Sequence, residues 1–174
     1  GARARAARAG PAGGRGAVSL PRTVGLVTSV DVDAPAEVVF AAATDWPGHR
    51  HWMLGTTAEA TRGDGASVGS SLRAVTGIAG VGAVDTMDIV DWVPGVRCGV
   101  VHTGAIVRGT AMFAVAPRAD GGSVFVWSER LDLPFGLLGR IGWALGGPAF
   151  RWALGYSLRR FAAWAPTTAS PAAT

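Results

Sequence analysis

At 174 residues the chain has the length of one domain and can bury a real core, hiding roughly two-thirds of its unfolded surface. All 16 basic residues are arginine, and four of them (Arg3, Arg5, Arg8, Arg15) fall in the first twenty positions, which hold no acid; from residue 21 onward basic and acidic residues number twelve each. The formal charge of +4 therefore sits in a tail, and the neutral body speaks against a nucleic-acid groove.

Residues 1–20 are Ala/Arg/Gly with Pro11 and no apolar period, which predicts a solvated, disordered leader. A folded domain is expected over 21–165, and a polar, Pro-broken tail over 166–174. Residues 24–32 end in Val30 and Val32 alternating with Asp31 and Asp33, the period of a half-buried strand. Asp33-Ala34-Pro35 then reads as a helix start, with a carboxylate able to cap free N–H groups and a proline suited to the first turn. Glu37 falls near the positive end of that helix, and Val38, Phe40, Ala41 and Ala42 supply an apolar stripe. Asp45-Trp46-Pro47 repeats the start signal, predicting a second short helix that carries His49, His51, Trp52 and Met53.

Six more strands are expected at 56–61, 68–76, 83–93, 97–103, 110–116 and 124–133. Gly63-Asp64-Gly65, Pro94-Gly95 and Asp120-Gly121-Gly122 mark turns between them. Pro134 opens a final helical region in which Phe150, Leu154, Ser157 with Leu158, Phe161 and Trp164 recur every three or four residues. Arg151, Arg159 and Arg160 can point away from that stripe, and Gly146-Gly147-Pro148 is expected to break or kink the helix.

The single cysteine, Cys98, excludes an intrachain disulfide and favours a reducing compartment. No continuous apolar stretch resembles a secretory signal. The most apolar region, 131–161, is interrupted by Arg140, Gly146-Gly147-Pro148 and Arg151, whereas a membrane span needs about 20 nearly unbroken apolar residues. A cytoplasmic protein without integral membrane association is expected. Transient contact with a membrane surface and the oligomeric state stay open.

A strand, two short helices, a run of strands and a last helix resemble the SRPBCC superfamily, the START/Bet v1-like group that includes polyketide cyclases/dehydrases and lipid carriers. The resemblance rests on the segment from Asp33 to Phe40, on Asp45-Trp46-Pro47 and Trp52, on Val68-Gly69, on Asp91-Trp92-Val93-Pro94-Gly95 and on Phe125-Val126-Trp127. It implies an α+β helix-grip fold: a curved antiparallel sheet around a long C-terminal helix, with two short helices after the first strand. Such a fold leaves space between sheet and helix. The small residues Gly142, Ala144, Gly146, Gly147, Ala149, Ala153 and Gly155 favour a pocket there.

In the last strand Phe125, Trp127, Glu129 and Leu131 share one face by alternation, and the aromatics assign that face to the interior. Glu129 would then sit beside Trp127 in an apolar hollow, where desolvation suits a carboxyl to proton transfer; the alternative is a rim carboxylate paired with an Arg. Arg73 falls near a position where cyclase relatives hold a polyketide's oxygens, which a guanidinium fork does well; a one-residue change of register would turn it to solvent. His102 shares a strand face with Cys98 and Val100 and is either a base or a histidine satisfied by a neighbour. Glu129, Arg73 and His102 are thus the candidate catalytic residues, and Trp52, Trp127, Phe125, Leu131, Phe150 and Leu154 the candidate ligand contacts.

His49 and His51 are two apart and face different ways on a helix, and no zinc spacing, dinucleotide loop or phosphate loop occurs. No metal and no cofactor are expected. The favoured function is binding of a hydrophobic small molecule (a lipid, polyketide or isoprenoid-like compound) in an internal cavity. Two other readings stand: a polyketide cyclase or dehydrase that uses polar groups in the cavity, and a protein-interaction module with a filled interior.

Overall fold

The structure, a computed structural model, describes residues 22–78 and 81–169. The leader expected over 1–20 and the last five positions of the tail lie outside the described residues. Seven strands form one antiparallel sheet in the order β1-β7-β6-β5-β4-β3-β2. They are β1 (Thr23–Val32), β2 (Thr56–Arg62), β3 (Ser71–Ile78), β4 (Val81–Val93), β5 (Arg97–His102), β6 (Gly109–Pro117) and β7 (Ser123–Asp132). The first two strands stand at opposite edges, so the chain between them must cross the open side of the sheet. It does so as two short helices, α1 (Ala36–Thr44) and α2 (His49–Trp52). A 28-residue helix, α3 (Leu137–Trp164), completes the α+β helix-grip architecture.

Local chemistry explains most boundaries. Pro94-Gly95 turns β4 into β5 with Val96 N–H donating to the Val93 carbonyl at 3.0 Å. The second turn position needs a positive φ, and Gly95 supplies it at 74°. Asp45 accepts from the Gly48 N–H at 3.2 Å just ahead of α2, as a start residue should. Asp33 does not act that way. Pro35, at ψ 154°, occupies the position before α1, and no side chain caps that helix. The Asp33 carboxylate is almost fully exposed, 3.9 Å from Arg118. The buried stripe of α1 is also shifted from the expected one, to Val39, Phe40, Ala42 and Ala43.

The final helix runs unbroken through Pro148. A helical proline leaves the carbonyl four residues earlier without its N–H partner. Here Ala144 and Pro148 are both exposed, so water can take that carbonyl. A short 3-10 helix, Ala165–Thr168, follows α3, with Ala165 fully buried.

The core lies between the inner face of the sheet and the helices. Trp52 is wholly buried at its centre, 4.9 Å ring to ring from Phe161, 5.9 Å from Trp127, 6.2 Å from Phe113 and 6.3 Å from Phe125. Phe161 and Phe125 close to 4.4 Å. These mostly edge-on contacts suit the ring quadrupoles and fix α2 and α3 against β6 and β7.

Candidate functional site

Above this aromatic end the sheet and α3 separate around a cavity of about 360 Å³. That volume falls within the roughly 300–1,000 Å³ range of small-molecule pockets, toward its lower end. Cross-strand register shows why space remains. One row across the sheet reads Met87, His102, Gly109, Leu131; the next reads Ile89, Val100, Ala111, Glu129. In these two rows β6 contributes only Gly109, its first residue, and Ala111, so this part of the strand puts almost no side chain into the hollow. Gly109 is fixed as glycine by its backbone: φ is 129°, and an added Cβ would fall on the Arg130 carbonyl.

Leu72, Ala74, Met87, Cys98, Val100 and Phe113 contribute apolar wall from the sheet, and Phe150, Ala153 and Leu154 from α3. Polar groups gather in one place. His102 Nδ1 lies 2.8 Å from Asp85 Oδ2, and since a carboxylate only accepts, Nδ1 is the donor. Trp127 Nε1–H donates to Glu129 Oε1 at 3.0 Å. Among the described residues Asp85 Oδ1 and His102 Nε2, like Trp52 Nε1 in the adjoining aromatic core, are buried and have no hydrogen-bond partner. Burial pushes the Glu129 carboxyl above its ordinary value, against the opposing pull of His102 and of the Trp127 N–H. On the helix side, burial pushes the His49 imidazole down to about 4, although its Nε2 is 2.9 Å from the Ala43 carbonyl. Burial likewise pushes the Cys98 thiol up to about 12, leaving it an inert wall residue.

Of the residues singled out in the sequence, Glu129, His102, Trp127, Leu131, Phe150 and Leu154 line the cavity. Trp52 and Phe125 do not; both are completely buried in the aromatic core that adjoins it. Arg73 requires correction. Leu72 and Ala74 face inward, so strand alternation turns Arg73 to the outer face, where it pairs with Glu59 at 3.5 Å. Asp85, which completes the polar cluster, was missed. Its signal was position: it shares a strand face with Met87 and Ile89, a lone carboxylate on an apolar row. Among the described residues no group of three or more His, Cys, Asp or Glu is arranged to hold a metal ion, this cluster included. No helix among them is long and apolar enough to cross a membrane.

A sheet gripping one long helix, with a hollow between them, defines an SRPBCC-type fold. The chain belongs to the polyketide cyclase / dehydrase and lipid transport family, whose profile matches residues 23–165. Similar solved structures include TTHA0849 from Thermus thermophilus, 16% identical, with a TM-score of 0.68 over 84% of this chain and 100% of that one. Protein CV1439 from Chromobacterium violaceum is 21% identical with a TM-score of 0.57, covering 82% and 96%. A Thermobifida fusca protein solved by solution NMR is 20% identical with a TM-score of 0.57, covering 79% and 92%. At these identities the likeness concerns the fold alone. No curated protein sequence matches this chain.

Proposed function

We propose that the protein binds a hydrophobic small molecule, of lipid, polyketide or isoprenoid type, in this cavity. The apolar body lies against Leu72, Met87, Val100, Phe113 and Phe150, and an oxygen-bearing end meets Asp85, His102 and Glu129. One observation carries the reading: in a wall that is otherwise mainly apolar, this cluster of ionisable side chains presents two buried polar atoms with no partner among the described residues. Each such atom costs free energy unless something hydrogen-bonds to it, and a ligand oxygen or hydroxyl does so. The lone buried Cys98 fits a reducing, cytoplasmic setting.

The test is native mass spectrometry after exposure to a lipid extract, paired with uptake of an apolar fluorescent probe. A discrete added mass, displaced by the probe and lost in Ala153→Trp, is the expected result. Failure to take up either ligand would sink the reading and bring forward a protein-interaction role with a closed interior.

The geometry of the Asp85–His102 pair favours one second reading, an enzyme of the cyclase or dehydrase kind. With Nδ1 committed to Asp85, a neutral His102 presents a lone pair at Nε2. That nitrogen would take a proton from a carbon between two carbonyls while Glu129, in its protonated form, hydrogen-bonds to the enolate oxygen. Hydrogen–deuterium exchange at that carbon in a long-chain 2,4-diketone, lost in His102→Phe, separates an enzyme from a carrier.

A further inference from the structure

The stretch of α3 from its start to Trp152 reverses the usual pattern of a helix that faces water. Leu138, Ile141, Leu145 and Trp152 are 74%, 44%, 80% and 61% exposed. At about 100° per residue they fall on one face, roughly opposite the Leu154, Leu158 and Phe161 stripe that enters the core. Phe135 and Leu137 extend the apolar surface at the helix start, 73% and 60% exposed. Large apolar side chains exposed along one helix face point to a docking surface.

Charge identifies what it docks against. From residue 133 to the end the sequence has no Asp or Glu, while Arg140, Arg151, Arg159 and Arg160 all lie on α3. Arg151 lies 5.8 Å over the Trp143 ring, beside the apolar face, and Arg159 and Arg160 are exposed two turns beyond Trp152. A second copy of the chain would bring arginine to arginine. An apolar face on a helix whose charged residues are all arginine fits an anionic lipid surface, in which the side chains sink below the headgroups and guanidinium groups stay among the phosphates. We propose that the turn at Phe135 and α3 as far as Trp152 dock on an anionic bilayer, lying in its interface. Because Phe150 and Leu154 of the same helix wall the cavity, the docked face adjoins the interior. Docking itself does not depend on what the cavity holds.

The experiment is flotation of the full chain with vesicles of phosphatidylcholine alone and of phosphatidylcholine with one-quarter phosphatidylglycerol, at low salt and at high salt. The comparison is with the Leu138→Asp/Leu145→Asp variant, in which both substituted side chains are solvent-exposed. The expected result is binding that needs phosphatidylglycerol, weakens in salt, and drops on the order of tenfold or more for each leucine lost. Unfolding temperature and apolar-probe uptake stay at parental values, which separates lost docking from a damaged fold. Equal binding by parent and variant would overturn the proposal and assign any attraction to the arginine-rich first twenty residues. Equal binding to both vesicle types would also overturn it, as would light scattering that shows a dimer dispersed by the variant.

Discussion

The Asp85–His102 pair offers a direct test of whether the cavity is built for a ligand or for stability. Only 4% of the His102 side chain and 20% of the Asp85 side chain reach solvent, and they share one hydrogen bond of 2.8 Å. Asp85→Leu strands both ring nitrogens; His102→Phe strands both carboxyl oxygens. Leaving buried polar groups unpaired costs about 1–3 kcal/mol in each single variant. The double variant removes all four atoms, two of which are already unsatisfied, and replaces them with apolar groups of similar bulk. It should be as stable as the parent or more stable, by up to about 4 kcal/mol. The coupling between the sites is then about 2 kcal/mol or more, measured as a double-mutant cycle in urea with tryptophan fluorescence at pH 7. In a heat scan each kcal/mol should appear as a shift of roughly 2–4 °C. The same variant should still take up a hydrocarbon probe but lose its preference for one with a polar end. Additive losses, leaving the double variant less stable than either single one, would refute the reasoning and make the pair a structural strut.

Three further outcomes follow from the site. His49 titrates at about 4 when folded and near 6.5 when unfolded, so the unfolded chain takes the proton first and stability falls as pH drops through that window. The loss should be about 3 kcal/mol between pH 6.5 and 4, and His49→Gln should flatten this limb; an unchanged slope in pH-dependent urea unfolding would refute it. Glu129 has the opposite sign: its folded carboxyl is raised above the ordinary value of 4.5, so stability falls as pH rises from there through the folded value. Glu129→Gln should therefore exceed the parent in stability at pH 8 and lose that advantage near pH 4. Arg73→Ala, on the outer face with an exposed partner, should change stability by no more than about 0.5 kcal/mol and leave probe affinity untouched; a large loss of affinity would return Arg73 to the site.

The fold was legible because punctuation and alternation agree. Pro94-Gly95 and Asp120-Gly121 set hairpins, and in β7 the burial of Phe125 and Trp127 follows the period of two read from the sequence. Asp85 was hidden by a break in that period. The ladder between β4 and β5 slips between Ile89 and Asp91, so Ile89 is 1% exposed and its neighbour Val90 52% exposed, while Trp92 again faces inward on Phe40. Counting back from Trp92 by twos puts Val90 and Asp88 inside and Asp85 outside, the reverse of what the bulge produces. Asp33 failed for a different reason. A carboxylate two residues before a proline resembles a cap, but the proline itself takes the capping position and carries Asp33 past the helix end.

Most of the stabilising packing and two of the three unpaired buried polar atoms among the described residues occupy different ends of this interior. Around Trp52 the rings fill space, with Phe125 and Phe161 fully buried and Phe113 partly so, and this packing holds α2, α3, β6 and β7 together although Trp52 Nε1 has no hydrogen-bond partner among the described residues. At the other end β6 withholds side chains at Gly109 and Ala111, and β4, β5 and β7 put Asp85, His102 and Glu129 around the gap. A chain selected only for stability would place leucine at these three positions and close the hollow, gaining buried area and shedding unpaired atoms. That it carries a desolvated carboxyl and an unpartnered imidazole nitrogen there is the physical reason to look for a molecule that satisfies them. Its reactive or polar end should lie within hydrogen-bond reach of His102 Nε2.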